Sequence, residues 1–309
     1  MDIIELSPTN YNSLVTTPFS IFDTVEFSEL NCNKAEIIKY LIFNDGKNRF
    51  GLIMGIKENT LIAPFSAPYA CFSPITKNNK VKCYNEACKS LLEYAQELNM
   101  KSIRITLPPT VYDENHIARI YNSLYIAGFK IKGCDLNFQY DLEKFDENYM
   151  MSIDPKARQK LRAAFKNELI FEKTTDIATV YKIIKENREM KNYPLWMKQK
   201  DIEKSMKIII VDFFLVYDKN HNPVASAMIY HLKQHTVQVI YWGNITGSEH
   251  LKTMNFLSFK IFEYYKSKNV TTIDIGPSTE YSKPNFGLCD FKQSIGCDTS
   301  SKITFELVF

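Results

Sequence analysis

The apolar segments of this chain come in one order, and that order is then repeated. No composition figure constrains the fold as strongly. In the first half, Glu36–Phe43, Phe50–Lys57 and Leu61–Phe72 read as three strands, rich in β-branched and aromatic residues. Tyr84–Leu98 has apolar residues at 87, 91, 92, 95 and 98, the spacing of one helix face. Ser102–Leu107 reads as a strand. Asp113 opens a helix that Gly128 stops, and Lys130–Leu142 is a long strand. The second half runs through the same series. Ile208–Tyr217, Val224–Lys233 and Thr236–Trp242 are strands, and His250–Ser267 is a helix. Thr272–Ile275 is a strand, 285–294 a short helix and 302–309 a last strand. Landmarks match at an offset of about 170 residues: Asp45 with Asp218, Ile103 and Ile105 with Ile273 and Ile275, Gly128 with Gly296.

Three antiparallel strands followed by an alternating helix-strand segment make a mixed sheet. The expectation is therefore an α/β (mixed α+β) protein with two tandem domains of one fold, 1–145 and 146–309. The first 35 residues read as short irregular helices broken by Pro8 and Pro18, and residues 146–207 as helical.

Composition narrows the function classes. Only 10 glycines are present, and neither a GxGxxG nor a GxxxxGK[ST] stretch occurs. Neither GxSxG nor HExxH occurs either, so nucleotide hydrolysis, dinucleotide redox, serine hydrolase and zinc protease chemistry lose their sequence support. The seven cysteines are scattered and odd in number, which suits a reducing compartment and no disulfide framework. No metal-ligand spacing is evident among them or the five histidines. No apolar run suggests a membrane span and no secretory signal is visible, so cytoplasmic residence is expected. Charge is divided unevenly. Residues 1–150 hold 15 basic and 18 acidic residues, whereas residues 151–309 hold 23 and 17. An anion-attracting field belongs to the second half.

Three stretches there could carry chemistry. Thr272–Cys297 ends a strand at Asp274-Ile275-Gly276 and continues as a Gly/Pro/Ser loop through Tyr281 and Lys283 to Phe291-Lys292. Loops after sheet strands hold ligands in α/β folds, and Lys292 is a cation placed for an anionic ligand; most lysines are simply solvated. Lys156–Lys166 puts Arg158, Arg162 and Lys166 on one helical face, with Leu161 and Phe165 on a buried stripe. Such a face binds phosphate, in RNA or a phosphorylated carrier, or is only solvated. Tyr241-Trp242-Gly243-Asn244 ends a strand beside a glycine that lets a ligand approach the backbone; Tyr241 and Trp242 could equally just pack.

These segments resemble the GNAT-fold acyltransferases, in the duplicated form of the FemABX aminoacyltransferases and related BioF-cluster-type acetyltransferase domains. Lys156–Lys166 is similar to that group's basic helix, and Asn137–Leu142 to the strand before it. Tyr241–Asn244 is similar to its Y-Y-G-A strand end, Thr272–Gly276 to its fDfG strand, and Phe291-Lys292-x-x-Ile-Gly296 to its F-K-x-x-F-G signature. The motifs cover about 135–309. The resemblance implies a bacterial N-acyltransferase with two tandem GNAT-like domains, the second carrying the site. It implies an acyl-CoA or aminoacyl-tRNA donor, a small-molecule amine acceptor and no tightly bound cofactor. Lys292 and Tyr241 would then be catalytic, and Arg158, Arg162, Lys166, Trp242, Asn244, Asp274, Tyr281, Lys283 and Phe291 would bind substrate. One departure stands out. The Q/R-x-x-G-x-G/A pyrophosphate loop of CoA-using members corresponds to Asn244–His250, which has a single glycine and no Lys or Arg. A catalytically silent GNAT-like module binding a phosphorylated ligand or RNA is the competing expectation.

Overall fold

The computed structural model describes residues Met1–Phe309. The first half runs β1 (Asp2–Leu6), α1 (Pro8–Leu14), α2 (Val25–Leu30), β2 (Ile37–Asn44), β3 (Asn48–Lys57), β4 (Thr60–Ala63) and β5 (Ser73–Pro74). It continues with α3 (Val81–Glu97), β6 (Ser102–Thr106), α4 (Glu114–Ile126) and β7 (Lys130–Asp141). The second half runs α5 (Tyr149–Ser152), α6 (Pro155–Phe165), β8 (Ile170–Thr174), α7 (Ile177–Met190), α8 (Gln199–Ser205), β9 (Val211–Tyr217), β10 (Pro223–Lys233) and β11 (Thr236–Asn244). After these come α9 (Thr253–Lys266), β12 (Thr272–Pro277), β13 (Thr279–Glu280), β14 (Lys283–Pro284), α10 (Phe286–Ser294) and β15 (Asp298–Val308).

Local chemistry sets many of the boundaries. The Asp113 carboxylate accepts from the His116 amide and caps α4; past its far end Gly128 takes a left-handed φ of +93°, which costs glycine little. In the β9–β10 turn, the Asp218 carboxylate accepts from the Asn220 and Asn222 amides, an Asx-type closure.

The chain forms two compact units. The first comprises Met1–Leu136, Tyr281–Lys283 and Ser300–Phe309, the second Asn137–Glu280 and Pro284–Thr299. The division falls nine residues before the expected 145/146, and the C-terminal strand belongs to the first unit. Strand order in the first unit is β1-β2-β3-β4-β6-β15, and in the second β8-β9-β10-β11-β12-β7. Each sheet contains one parallel pair, β4–β6 in the first and β11–β12 in the second. The repeat read from the sequence is thus a repeat of sheet order, except that each half supplies the last strand of the other half's sheet. The first unit's core gathers Phe43, Phe50 and Phe72 under α3, which buries Ala87, Leu91 and Ala95. In the second unit α9 stacks Phe262 on Tyr140, with ring centroids 4.3 Å apart.

Three expectations are corrected. Residues 146–207 are not all helical, because β8 pairs with β9 as an edge strand. Leu61–Phe72 is strand only to Ala63, where Pro64 leaves the ladder. The N-terminal segment begins with a strand, β1, paired in register with β2.

Candidate functional site

The second unit opens where its two parallel strands separate. β11 and β12 pair at Thr236↔Thr272, Val237↔Ile273 and Gln238↔Asp274. Beyond Gln238, β11 runs on to Asn244 beside β10, while β12 stays paired only with β7, through Gly276↔Phe138 and Pro277↔Asn137. A bulge helps the divergence: Met228 faces Tyr241 and Ile229 faces Val239, which leaves Ile240 without a partner on β10. Past Gln238 the β11 edge that faced β12 therefore has no strand partner, and a backbone edge is a row of donors and acceptors waiting for one; the β12 carbonyls opposite it, Ile275 to Pro277, already accept from Lys292. Two buried polar atoms at this fork, Gln238 Oε1 and Ser278 Oγ, also have no hydrogen-bond partner. In the first unit the parallel pair ends together at Ala63↔Ile105. Its continuation is taken by the chain itself: Ala70 N–H donates to Thr106 O, and Tyr69–Phe72 are all buried.

Two buried side chains, Asp274 and Lys292, fix the end of β12. Asp274 is fully buried and accepts from Asn137 Nδ2 at 2.8 Å, Gln238 Nε2 at 2.8 Å and the Gly276 amide at 2.7 Å. Lys292, on α10, is 4% exposed. Its ammonium donates to the carbonyls of Ile275 (2.9 Å), Gly276 (2.8 Å) and Pro277 (3.2 Å) and lies 5.3 Å from the Phe138 ring centre. Burial pulls its pKa down to about 8, against smaller opposing contributions from Cys297, Asp274 and Cys289. All three ammonium donors are thus engaged.

The structure sorts the other sequence-derived residues. Tyr241 is buried on β11 beneath the Arg188 guanidinium, 4.7 Å from its ring centre. Burial raises its pKa, partly offset by Arg188 and by backbone bonds from Trp196 and Met197. Trp242 packs on Phe291, with centroids 6.1 Å apart, so these two meet beside Lys292. Asn244 is buried; its Nδ2 donates to Ser248 Oγ, and its carbonyl accepts from Asn187 Nδ2 at 2.7 Å. Tyr281 is 87% exposed and Lys283 is exposed, and both belong to the first unit's residue set rather than to that cluster. On α6, Arg162 and Lys166 are exposed, while Arg158 bends back to the Met151 and Ile153 carbonyls. The buried stripe of α6 is Ala157, Leu161 and Ala164; Phe165 is 44% exposed and only edges onto Phe256 and Phe259, which corrects its expected burial.

The sequence reading missed Asn187 and Arg188. Asn187 abuts Gly243 so closely that a Cβ there would lie 2.6 Å from its Cγ, and this seats the end of α7 on β11. The Gly243-Asn244 step was the available signal for such a close approach. In the β11–α9 loop, Glu249 accepts from the Gly247 amide. No grouping of His, Cys, Asp and Glu suited to hold a metal ion is present, and no helix is long and apolar enough to cross a membrane.

No protein-family model matches the chain, and no curated protein matches it. Solved structures do. FemX is 14% identical, with a TM-score of 0.71 over 100% of this chain and 98% of FemX. L-PGS from Bacillus licheniformis is 10% identical, with a TM-score of 0.60 over 97% of this chain and 92% of that one. A tandem GNAT protein from the clavulanic acid biosynthesis pathway is 8% identical, with a TM-score of 0.54 over 99% and 98%. These likenesses extend end to end, and they establish that the chain has the mixed α/β, tandem GNAT fold that it shares with FemX.

Proposed function

We propose that the chain is an N-acyltransferase that moves an acyl or aminoacyl group onto an amine at the β11–β12 opening of the second unit. The unpaired edge of β11 beyond Gln238 carries this reading. An extended donor laid along that edge would find backbone partners on β11, and an N–H aimed at its carbonyl oxygen would stabilise the charge that develops there. The amine nitrogen attacks the carbonyl carbon, the C–S or C–O bond to the carrier breaks, and the carrier leaves as thiol or hydroxyl with the proton the amine loses. Lys292 enters as a positioning residue, since its donors hold Ile275–Pro277. Tyr241 shapes the wall under Arg188. Trp242, Phe291, Asn244 and Asp274 frame the opening.

Two observations favour an ester on a polyanionic carrier, an aminoacyl-tRNA, over CoA. Glu249 occupies the loop where CoA-using relatives hold a pyrophosphate, and α6 presents Lys156, Lys160, Arg162 and Lys166 to solvent. The test is transfer from acetyl-CoA and from alanyl-tRNA to a panel of amines, followed by mass spectrometry. Transfer from the tRNA ester is expected, and its apparent affinity should fall steeply as salt rises. Reversing charge at Arg162 and Lys166 should weaken it more than tenfold with little change in melting temperature. The engagement of Lys292 and Tyr241 also suits the silent binding module; carrier binding without transfer to any amine would select it.

A further inference from the structure

Asp23 is a buried carboxyl with no cation to answer it. It closes the single helical turn Ile21–Asp23 and is 4% exposed. Its Oδ2 accepts from Ser20 Oγ at 2.7 Å. Its Oδ1 accepts from the Cys71 amide at 2.8 Å. Cys71 belongs to Tyr69–Phe72, the segment that fills the first unit's fork beyond β4 and β6. Asp23 therefore ties the N-terminal segment to the piece of chain that keeps this fork closed.

That piece is a strap held by few bonds. Ala70 N–H donates to the Thr106 carbonyl at 2.9 Å, at the end of β6. The Phe72 carbonyl lies 2.8 Å from Nε2 of His116 on α4. Just past the strap, Ser73 Oγ accepts from the Phe19 amide at 3.0 Å. Tyr69 packs edge-on against Phe22, with ring centroids 5.3 Å apart. Among these ties, the one from Cys71 alone ends on a carboxyl.

The titratable groups around Asp23 come from several elements. Tyr11 on α1 feels its charge, and Tyr40 of β2 meets Tyr11. The strap brings Tyr69 and Cys71; behind it stand Tyr112 and His116, the latter bonded to Tyr84. Glu26 and Glu29 lie on α2, the next helix. No lysine or arginine offsets the carboxylate. Burial therefore outweighs the donors of Ser20 and Cys71 and pushes the Asp23 pKa up to about 7. In water the same carboxyl titrates near about 4. Between these two values the closed strap holds a proton that the open strap has released. Closure is thus strongest at low pH, weakens as pH rises toward 7 and is level above it.

We propose that Asp23 is a proton-operated latch: taking up a proton from solvent locks the strap Tyr69–Phe72 over the first unit's fork, and giving it back loosens the strap from β6. The first unit then carries a latched counterpart of the opening in the second unit, and the Thr106 carbonyl is the backbone acceptor that a lifted strap uncovers. The assignment is independent of the acyl-transfer reading.

The test is hydrogen–deuterium exchange on the full chain from pH 5 to 9, corrected for the intrinsic pH dependence of amide exchange. Protection of Ala70 and Cys71 should fall about a hundredfold between pH 5 and 7 and stay level above pH 8. The opening should be local, so both amides should exchange faster than those of β2 and β3 at every pH, at rates that sub-denaturing urea leaves unchanged. In Asp23→Asn the profile should be level throughout. Carbon-13 NMR of aspartate-labelled wild type gives a reading that needs no substitution: one carboxyl should titrate near pH 7, where strap protection levels off. A level wild-type profile, strap amides that exchange only with β2 and β3, or no carboxyl titrating near pH 7 would each overturn the latch. A slope that survives in Asp23→Asn would assign the proton to His116 and overturn it as well.

Discussion

Lys292 shows how one residue can be visible in a sequence and still surprise in a structure. Its place in Phe291-Lys292-x-x-Ile-Gly296 marks it for chemistry, and from the sequence Lys292→Ala should cost turnover more than folding. Its three bonds to the end of β12 change what a substitution should do. Each buried donor is worth about 1 kcal/mol, but the ammonium's desolvation cost opposes these bonds at pH 7, so Lys292→Met should change stability little there and lower turnover by releasing Ile275–Pro277. The pKa supplies an independent check. Because burial depresses it to about 8, the ammonium's desolvation cost is fully present below that pH. Between pH 8 and about 10.4 the unfolded chain keeps a proton that the folded chain has released, so stability rises by about 1.4 kcal/mol for each pH step of one. Urea titrations from pH 7.5 to 10 should show the wild type gaining about 3 kcal/mol on Lys292→Met across that window. Parallel stability curves would mean that Lys292 is not the buried cation described.

At the scale of elements, what could be read in advance depended on whether the signal was local. Both ends of α4 were legible, because a capping Asp113 and a left-handed Gly128 act within a few residues of themselves. β8 was not: it has five residues, sits at a sheet edge and buries none of them fully, so no alternation announces it. Arg188 was invisible for a related reason. An arginine on a helix reads as solvated until the strand and loop that cover it are known. The edge strand is held in the second unit by a cluster that spans four elements. Asp212 on β9 meets Lys173 of β8 at 2.5 Å, His231 of β10 at 2.7 Å and Tyr265 of α9 at 2.7 Å. Burial alone would raise the Asp212 pKa, but the bonds from His231, Lys173 and Tyr265 outweigh it and hold the carboxyl well below its usual range. A depressed carboxylate contributes stability above about pH 4 that is lost as pH falls. Asp212→Asn should therefore narrow its stability deficit below pH 4, as circular dichroism at pH 7 and pH 3 would show; a constant deficit would remove the carboxylate from the account. Gly243 tests the other contact between elements. A side chain there meets Asn187 at 2.6 Å, so Gly243→Val should cost more than about 1 kcal/mol and loosen α7, seen as faster amide exchange over 183–190.

Across the whole molecule, duplication explains both the ease and the limit of the reading. Two halves with one segment order made the fold class legible, and the exchange of last strands was hidden because strand pairing between distant segments leaves no periodic trace. The halves differ where it matters. β11 has nine residues and parts from β12 after three pairs, whereas β4 has four and its continuation is filled by Tyr69–Phe72. One fold therefore carries one opening, and the central claim is that donors bind there. Hydrogen–deuterium exchange with a 3′-aminoacyl adenosine and with acetyl-CoA, each at saturating concentration, tests it directly. Either donor that binds should protect the amides of 239–244 and 275–278 and leave 60–72 unchanged. Protection centred on 60–72, or donor binding with no protection between Val239 and Ser278, would contradict the account.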